Sequence, residues 1–244
     1  MEKVFREGEP MTKTISFFNV KGGVGKSSLS YLAGMYLSSI GKRVLFVDLD
    51  PQGSLTHRLI GSNPKRTIYN LLAEGESLSE CIIEINPRLS ILAGELRVNK
   101  IFSGIMEKTF KKLFKNLSFD YILLDNPPSW NSLVISGLAS SDYVFIPTLL
   151  SQNDFDSVDF TLNEIKEVDE NLKPLIILNR ATKKISKEEI EYFQVNNYDY
   201  PLFRFPVSTS VKKVLDRNES LELKKHSELR ETVSSMLSIK DLVL

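Results

Sequence analysis

Between Phe17 and Leu37 the chain reads FFNVKGGVGKSSLSYLAGMYL, and no other stretch restricts the fold as tightly. An apolar run, Thr14–Val20, breaks into Lys21-Gly22-Gly23-Val24-Gly25, and a helical pattern follows from Lys26. Glycines let a backbone curl until successive N–H groups face one point, which suits an anion. The N-terminus of the following helix adds partial positive charge at the same spot. The ordinary phosphate-cradling spacing is G-x-x-x-x-G-K-[ST]. Gly25, Lys26 and Ser27 supply its end, but the position five before Gly25 is Val20, and a second lysine, Lys21, stands next to it. In such a loop Lys26 reaches the β and γ phosphates of a nucleotide and the Ser27 hydroxyl ligates Mg2+. A glycine-rich turn capped by Ser27 would use the same residues. The strand–loop–helix context favours the anion.

The rest of the chain repeats that alternation. Candidate strands are Thr14–Val20, Arg43–Asp48, Leu89–Leu92, Asp120–Asp125, Tyr143–Pro147, Leu175–Asn179 and Leu202–Phe205. Candidate helices lie at Lys26–Ile40, Val98–Leu117, Ser132–Ala139, Val158–Glu170, Lys187–Gln194, Val211–Asp216 and Ser227–Leu237. The strands are rich in Ile, Val, Leu and Phe, as strands buried on both faces are. The expected fold class is therefore α/β, a doubly wound, mostly parallel sheet with helices on both faces. Right-handed crossovers then place the loops after the strands on one edge, where ligands bind. Residues 12–244 read as a single domain, and residues 1–11, which open with the polar MEKVFREGEP, as a flexible leader without the pattern of a secretory signal.

Two carboxylates, Asp48 and Asp50, lie two apart at the end of a strand, so their side chains point the same way, towards that edge. Asp125 ends another strand. The 31 basic and 31 acidic residues cancel, which excludes a generally polybasic chain but permits local basic patches. The single cysteine, Cys81, forms no internal disulfide and reads as a small buried hydrophobe in a reducing compartment. No apolar run approaches the ~18 residues that span a bilayer.

Lys21-Gly22-Gly23-Val24-Gly25-Lys26-Ser27 resembles the deviant Walker A motif of the ParA/MinD family of ATPases. FVDLDPQGSLT (Phe46–Thr56) is similar to that family's second signature, YILLDNPPS (Tyr121–Ser129) to its Walker B strand and the loop after it, and IILNR (Ile176–Arg180) to the strand whose Asn reads adenine. The resemblance covers roughly Met11 to Leu237 and is closest to the partition ATPases, with ATP and Mg2+ as cofactors. It implies a nucleotide site on Lys21, Gly22, Gly23, Val24, Gly25, Lys26, Ser27 and Ser28, with Asn179, Arg180 and Pro206 around the base. It implies that Ser27, Asp48 and Asp125 serve the metal and its water shell and that Asp50 orients the attacking water, positioning being most of what a protein contributes to phosphoryl transfer. Lys21 is then the signature lysine, and it acts across a homodimer that sandwiches two ATP molecules by contacting the phosphates held by the other subunit.

The chain departs from the family in places. Asn126 stands where Cys or Thr is often found, and TLLSQNDFDSV (Thr148–Val158) matches the usual interface loop poorly. The end ELRETVSSMLSIKDLVL is weakly apolar with few cations and reads as a packing helix, so no direct membrane binding is expected. Two basic clusters suit sequence-blind contact with DNA phosphates: Lys212, Lys213 and Arg217, and Lys100, Lys108, Lys111, Lys112 and Lys115. The resemblance implies a cytoplasmic, nucleoid-associated protein answering to a centromere-binding, ParB-like partner. The alternatives are a MinD-like or other positioning ATPase, a metabolic kinase or ligase built on the same loop, and a nucleotide switch without hydrolysis. Lys21 speaks against the monomeric enzyme and Asp50 against the bare switch.

Overall fold

The computed structural model describes residues 12–61, 64–101, 108–149, 152–181, 200–207, 213–215 and 227–238, together with positions 184, 187, 191 and 211. The strands are β1 (Lys13–Phe17), β2 (Val44–Asp48), β3 (Ile82–Asn86), β4 (Leu89–Leu92), β5 (Tyr121–Asp125), β6 (Tyr143–Thr148), β7 (Lys173–Ala181) and β8 (Leu202–Pro206). They form one sheet in the order β3-β4-β2-β5-β1-β6-β7-β8. Every pair is parallel except β3 with β4, which is antiparallel. The helices are α1 (Lys26–Ser39), α2 (Ser54–Ile60), α3 (Ile68–Ala73), α4 (Leu78–Cys81), α5 (Thr109–Phe114), α6 (Ser132–Leu138), α7 (Gln152–Val168) and α8 (Ser227–Leu237), with a 3-10 turn at Leu96–Lys100.

Alternation along each strand explains why the sheet is covered twice. Val44, Phe46, Tyr121, Leu123, Tyr143 and Phe145 join the core beneath α1 and α8. Their neighbours Leu45, Val47, Ile122 and Leu124 pack on the other face with Leu71, Phe110 and Leu133, while Val144 and Ile146 meet Val158 and Leu162. Helix α1 comes so close to the sheet that a Cβ at Gly34 would sit 2.0 Å from the Phe46 ring, so a side chain there would overpack the core. At the other end of the chain α8 buries Leu229, Val233, Met236 and Leu237. It locks onto α1 where the Tyr36 hydroxyl donates to Ser234 Oγ at 2.8 Å and Arg230 donates to Ser39 Oγ at 2.8 Å. The packing role expected of this helix is borne out.

The sheet class stands as expected, with local corrections. The stretch read as one helix over Val98–Leu117 is a 3-10 turn and the separate short helix α5, and positions 102–107 lie outside the described residues. Helix α7 begins at Gln152 rather than Val158; Phe155 is buried and stands three residues before Val158, at the helical spacing of buried Val158, Leu162 and Ile165. Strand β1 ends at Phe17, short of Val20. The edge strand β3 and the short helices α2, α3 and α4 were not expected. Of the helix expected at Lys187–Gln194 only positions 187 and 191 are described, and of the one expected at Val211–Asp216 only positions 211 and 213–215; Lys212 and Arg217 lie outside the described residues.

Because β5 sits between β1 and β2, the sheet order sets three functional strand ends side by side. Phe17 pairs with Asp125, and Asp125 pairs with Asp48. The loop after β1 opens on the same edge, at the switch point where α/β sheets bind ligands.

Candidate nucleotide and metal site

Helix α1 starts without a side-chain cap. Gly25 holds the N-cap position at φ 103°, a left-handed conformation that favours glycine. Its missing Cβ leaves room for Asn179, whose Nδ2 would otherwise lie 2.3 Å away and which donates to the Val24 carbonyl at 2.8 Å. The first N–H groups of a fourteen-residue helix therefore face the loop with no acceptor from a capping side chain, which is the arrangement an anion completes. Ser27 is not the cap; it lies within the first turn, half-buried, one residue after Lys26.

Lys26 is buried, and its Nζ donates to two carbonyls of its own loop, Asn19 at 3.1 Å and Lys21 at 2.9 Å. Burial pulls its pKa down, while Asp125 and Asp50 hold it up. Asn19, fully buried, was missed as a site residue although it stands in the quoted loop. Its Oδ1 accepts from the Lys21 N–H at 2.9 Å and its Nδ2 donates to the Pro147 carbonyl at 2.9 Å, tying the loop to the end of β6. The Lys21 ammonium lies 2.5 Å from Asp154 Oδ1 on the first turn of α7, an aspartate that no sequence spacing pointed to. In this single chain the second lysine is thus held at its backbone by Asn19 and at its tip by a nearly buried carboxylate.

Asp48 and Asp125 are both fully buried and side by side. Both oxygens of Asp48 are hydrogen-bonded: Oδ2 accepts from the Thr56 N–H at 2.8 Å and the Thr56 hydroxyl at 2.7 Å, and Oδ1 accepts from the Asp50 N–H at 3.1 Å. Burial still pushes its pKa up to about 6, against those hydrogen bonds. Asp125 is the opposite case, since neither of its oxygens has a hydrogen-bond partner among the described residues. Burial raises its pKa well above the usual carboxylate value, and Asp48 raises it further. Ser27 and Lys26 lie close enough to oppose the rise without a bond of good geometry. Asp50 is half-buried at the head of the next turn, where its Oδ1 accepts from the Gln52 N–H at 2.9 Å.

Two orphaned carboxylate oxygens, a neighbouring buried carboxylate and a serine hydroxyl are a hard-oxygen set of the kind Mg2+ takes. Among the described residues no cluster of three His, Cys, Asp or Glu side chains could hold a metal alone. Mg2+ commonly keeps several waters and relies on one or two carboxylates plus substrate phosphates.

On the other side of the loop, β7 and β8 pair Asn179 with Phe205 and Ala181 with Pro206. Asn179, Arg180 and the exposed Pro206 therefore stand at adjoining strand ends. Arg180 has φ 56° at an irregularity in that pairing, and its N–H donates to Asn179 Oδ1 at 2.9 Å. Of the basic residues, Lys213, Lys100, Lys108, Lys111, Lys112 and Lys115 are exposed. No described helix is long and apolar enough to cross a membrane.

Comparison with known proteins places this edge in context. The profile of the AAA domain family matches residues 12–178. The chromosome-partitioning ATPase Soj of Treponema pallidum is 33% identical over 171 residues, 66% of this chain and 67% of that protein. Among solved structures, a putative plasmid partition protein from Borrelia burgdorferi B31 bound to AMPPNP superposes with a TM-score of 0.79 at 23% identity, covering 93% of this chain and 98% of that one. The same fold occurs in cobyrinic acid a,c-diamide synthase of Mycobacterium smegmatis, solved with an ATP analogue and magnesium. There the TM-score is 0.72 at 23% identity, over 89% of this chain and 96% of that one.

Proposed function

We propose that this chain, which belongs to the AAA domain family and within it to the ParA/MinD-type ATPases, is a partition ATPase whose ATP-bound homodimer binds DNA without regard to sequence. Residues 12–244 act as one ATPase unit. The observation that carries the reading is Asp125, a buried carboxylate with no hydrogen-bond partner among the described residues, facing Lys26 and Ser27 where an uncapped helix begins. A fold maintains such a penalty where a ligand relieves it.

Lys26 leaves its two loop carbonyls for the β and γ phosphates, and the loop N–H groups from Gly22 to Ser28 take the phosphate oxygens. Ser27 and Asp125 would hold Mg2+, with Asp48 beside them supporting its water shell; the metal would supply neutralisation of the phosphate charge. Asp50 turns its free oxygen to the attacking water. Asn179, Arg180 and Pro206 surround the base. Lys21 exchanges Asp154 for the phosphates of the partner subunit, which makes nucleotide part of the interface. DNA is held by Lys213 with Lys212 and Arg217, or by the exposed Lys108–Lys115 face. A centromere-binding, ParB-like protein stimulates hydrolysis and resets the cycle. The protein works in the cytoplasm, on the nucleoid.

The likeness to a diamide synthase keeps a small-molecule ligase as the second reading, because the fold alone serves both. Lys21 separates them: a monomeric ligase has no use for it. Asp50→Ala tests the hydrolytic assignment. The variant is expected to bind ATP and dimerise as the wild type does while turnover falls about 100-fold or more, since only the water-positioning group is lost. Phosphate release at the wild-type rate would remove Asp50 from the mechanism.

A further inference from the structure

Thr56 lies in the first turns of α2, is 3% exposed, and gives both its N–H and its hydroxyl to the same Asp48 oxygen. That hydroxyl also accepts the Gly94 N–H at 2.9 Å. A hydroxyl has one proton, and with Gly94 on its acceptor side the proton is committed to Asp48 Oδ2. Gly94 reaches this position because it lacks a side chain: a Cβ there would meet the Asp48 carbonyl oxygen at 2.8 Å and its carboxyl carbon at 2.9 Å. The Asp50 N–H fixes the other oxygen. Donors from the turn after β2 and from α2, the latter braced by the loop after β4, therefore hold one carboxylate in one orientation, beside a second carboxylate that has no hydrogen-bond partner among the described residues.

We propose that Thr56, braced by Gly94, is a positioning residue of the nucleotide and metal site, acting through Asp48. The inference rests on the ATPase reading above. The clamp keeps the Asp48 charge fixed next to Asp125, so that Asp125 alone answers to the ion. A preset partner spares the site a rearrangement when the metal arrives. Without the hydroxyl, Asp48 keeps its two backbone donors but loses the bond that sets its plane.

The competing role is structural, the pinning of α2 to the sheet, and it predicts different measurements. Trp130, the chain's one tryptophan, packs against Phe18 with ring centroids 5.7 Å apart and stands two residues after Pro128, whose ring a Cβ at Gly22 would approach at 3.9 Å. Its fluorescence reports on the loop without requiring turnover. The full chain as wild type, Thr56→Val, Thr56→Ala and Thr56→Ser is titrated with Mg2+ in the presence of ADP, and ATPase rates are measured alongside. Thr56→Val is expected to bind ADP normally without Mg2+ and to need about 10-fold or more Mg2+ for half-saturation. Its kcat should fall about 10- to 100-fold while KM for ATP moves little. Thr56→Ala, which adds no bulk, should behave alike should the valine variant fail to fold, and Thr56→Ser should recover most of the loss. Wild-type Mg2+ dependence and kcat in both hydroxyl-free variants, or a serine variant as defective as they are, overturns the proposal. A wild type with neither a Mg2+-dependent nucleotide signal nor hydrolysis overturns the ATPase reading itself and this inference with it.

Discussion

Lys21→Ala is expected to stay monomeric with Mg2+ and a slowly hydrolysed ATP analogue at concentrations where the wild type dimerises. Each subunit should still bind nucleotide, because Lys26, the loop N–H groups and the uncapped end of α1 remain. What disappears is the cation that reaches the other subunit's phosphates. Opposite charges in a water-poor interface attract by roughly several kcal/mol, against about 1 kcal/mol for a similar pair in water. Since ~1.4 kcal/mol is tenfold, even the low end shifts dimerisation by orders of magnitude. The ion pair with Asp154 sets the reference state, because a lysine already holding a carboxylate gains only the difference on moving to phosphate. Asp154 is nearly buried and Lys21 is a third exposed, so the pair is partly screened and the phosphates have the advantage. DNA binding should fall together with dimerisation, since two weak basic patches act as one strong site only when linked. Light scattering of both proteins at matched concentration reads the result, and a variant that dimerises normally would leave Lys21 as an ordinary surface lysine.

Asp125→Asn should separate stability from function in opposite directions. A carboxyl whose pKa is raised by folding carries no penalty below its unfolded value of about 4, and the penalty grows as pH rises towards the folded value. For Asp48 that window closes near about 6, and burial beside Asp48 shifts Asp125 in the same direction. The nucleotide-free wild type should therefore lose stability from pH 4 upward, and most of the loss should be recovered by Mg2+ with nucleotide. The variant removes one charge from the pair, so its Tm at pH 8 should rise by about 3–8 °C, on the scale of 2–4 °C per kcal/mol for a chain of this size. The same change should abolish the stabilisation conferred by Mg2+ with nucleotide. Thermal melts across pH, with and without MgADP, test both halves. A variant that melts like the wild type in both conditions would show that Asp125 neither strains the free protein nor meets the metal.

These contrasts mark what the sequence made legible. Strands such as Tyr121–Asp125 and Tyr143–Thr148 announce themselves because every residue is buried on one face or the other, and the glycines before Lys26 announce the loop. The strand Ile82–Asn86 did not, because it is an edge strand whose Glu84 and Asn86 are exposed and whose isoleucines are only half-buried, and whose antiparallel hairpin breaks the α/β rhythm. The early start of α7 was readable in the spacing of Phe155, Val158 and Leu162 but was masked by the polar residues between Gln152 and Asp154. Within the site, the residues named from the sequence are those of local motifs. Of those not named, Asn19, Gly94 and Asp154 meet partners distant in the chain, which nothing in their spacing encodes, whereas Thr56 stands in the same motif as its partner Asp48 but carries no residue type that marks it as a site residue.

The central claim is that nucleotide completes an interface and that the interface creates the DNA-binding form. Retention of a random-sequence duplex, measured with ADP, with ATP and with a slowly hydrolysed ATP analogue across a salt series, tests it most directly. Tight retention is expected with the analogue, at the protein concentrations at which the dimer forms, falling linearly in log affinity against log salt and equal for unrelated duplexes. With ADP retention should be lost. Equal retention with ADP and with the analogue, or a dimer that ignores DNA at low salt, would contradict it.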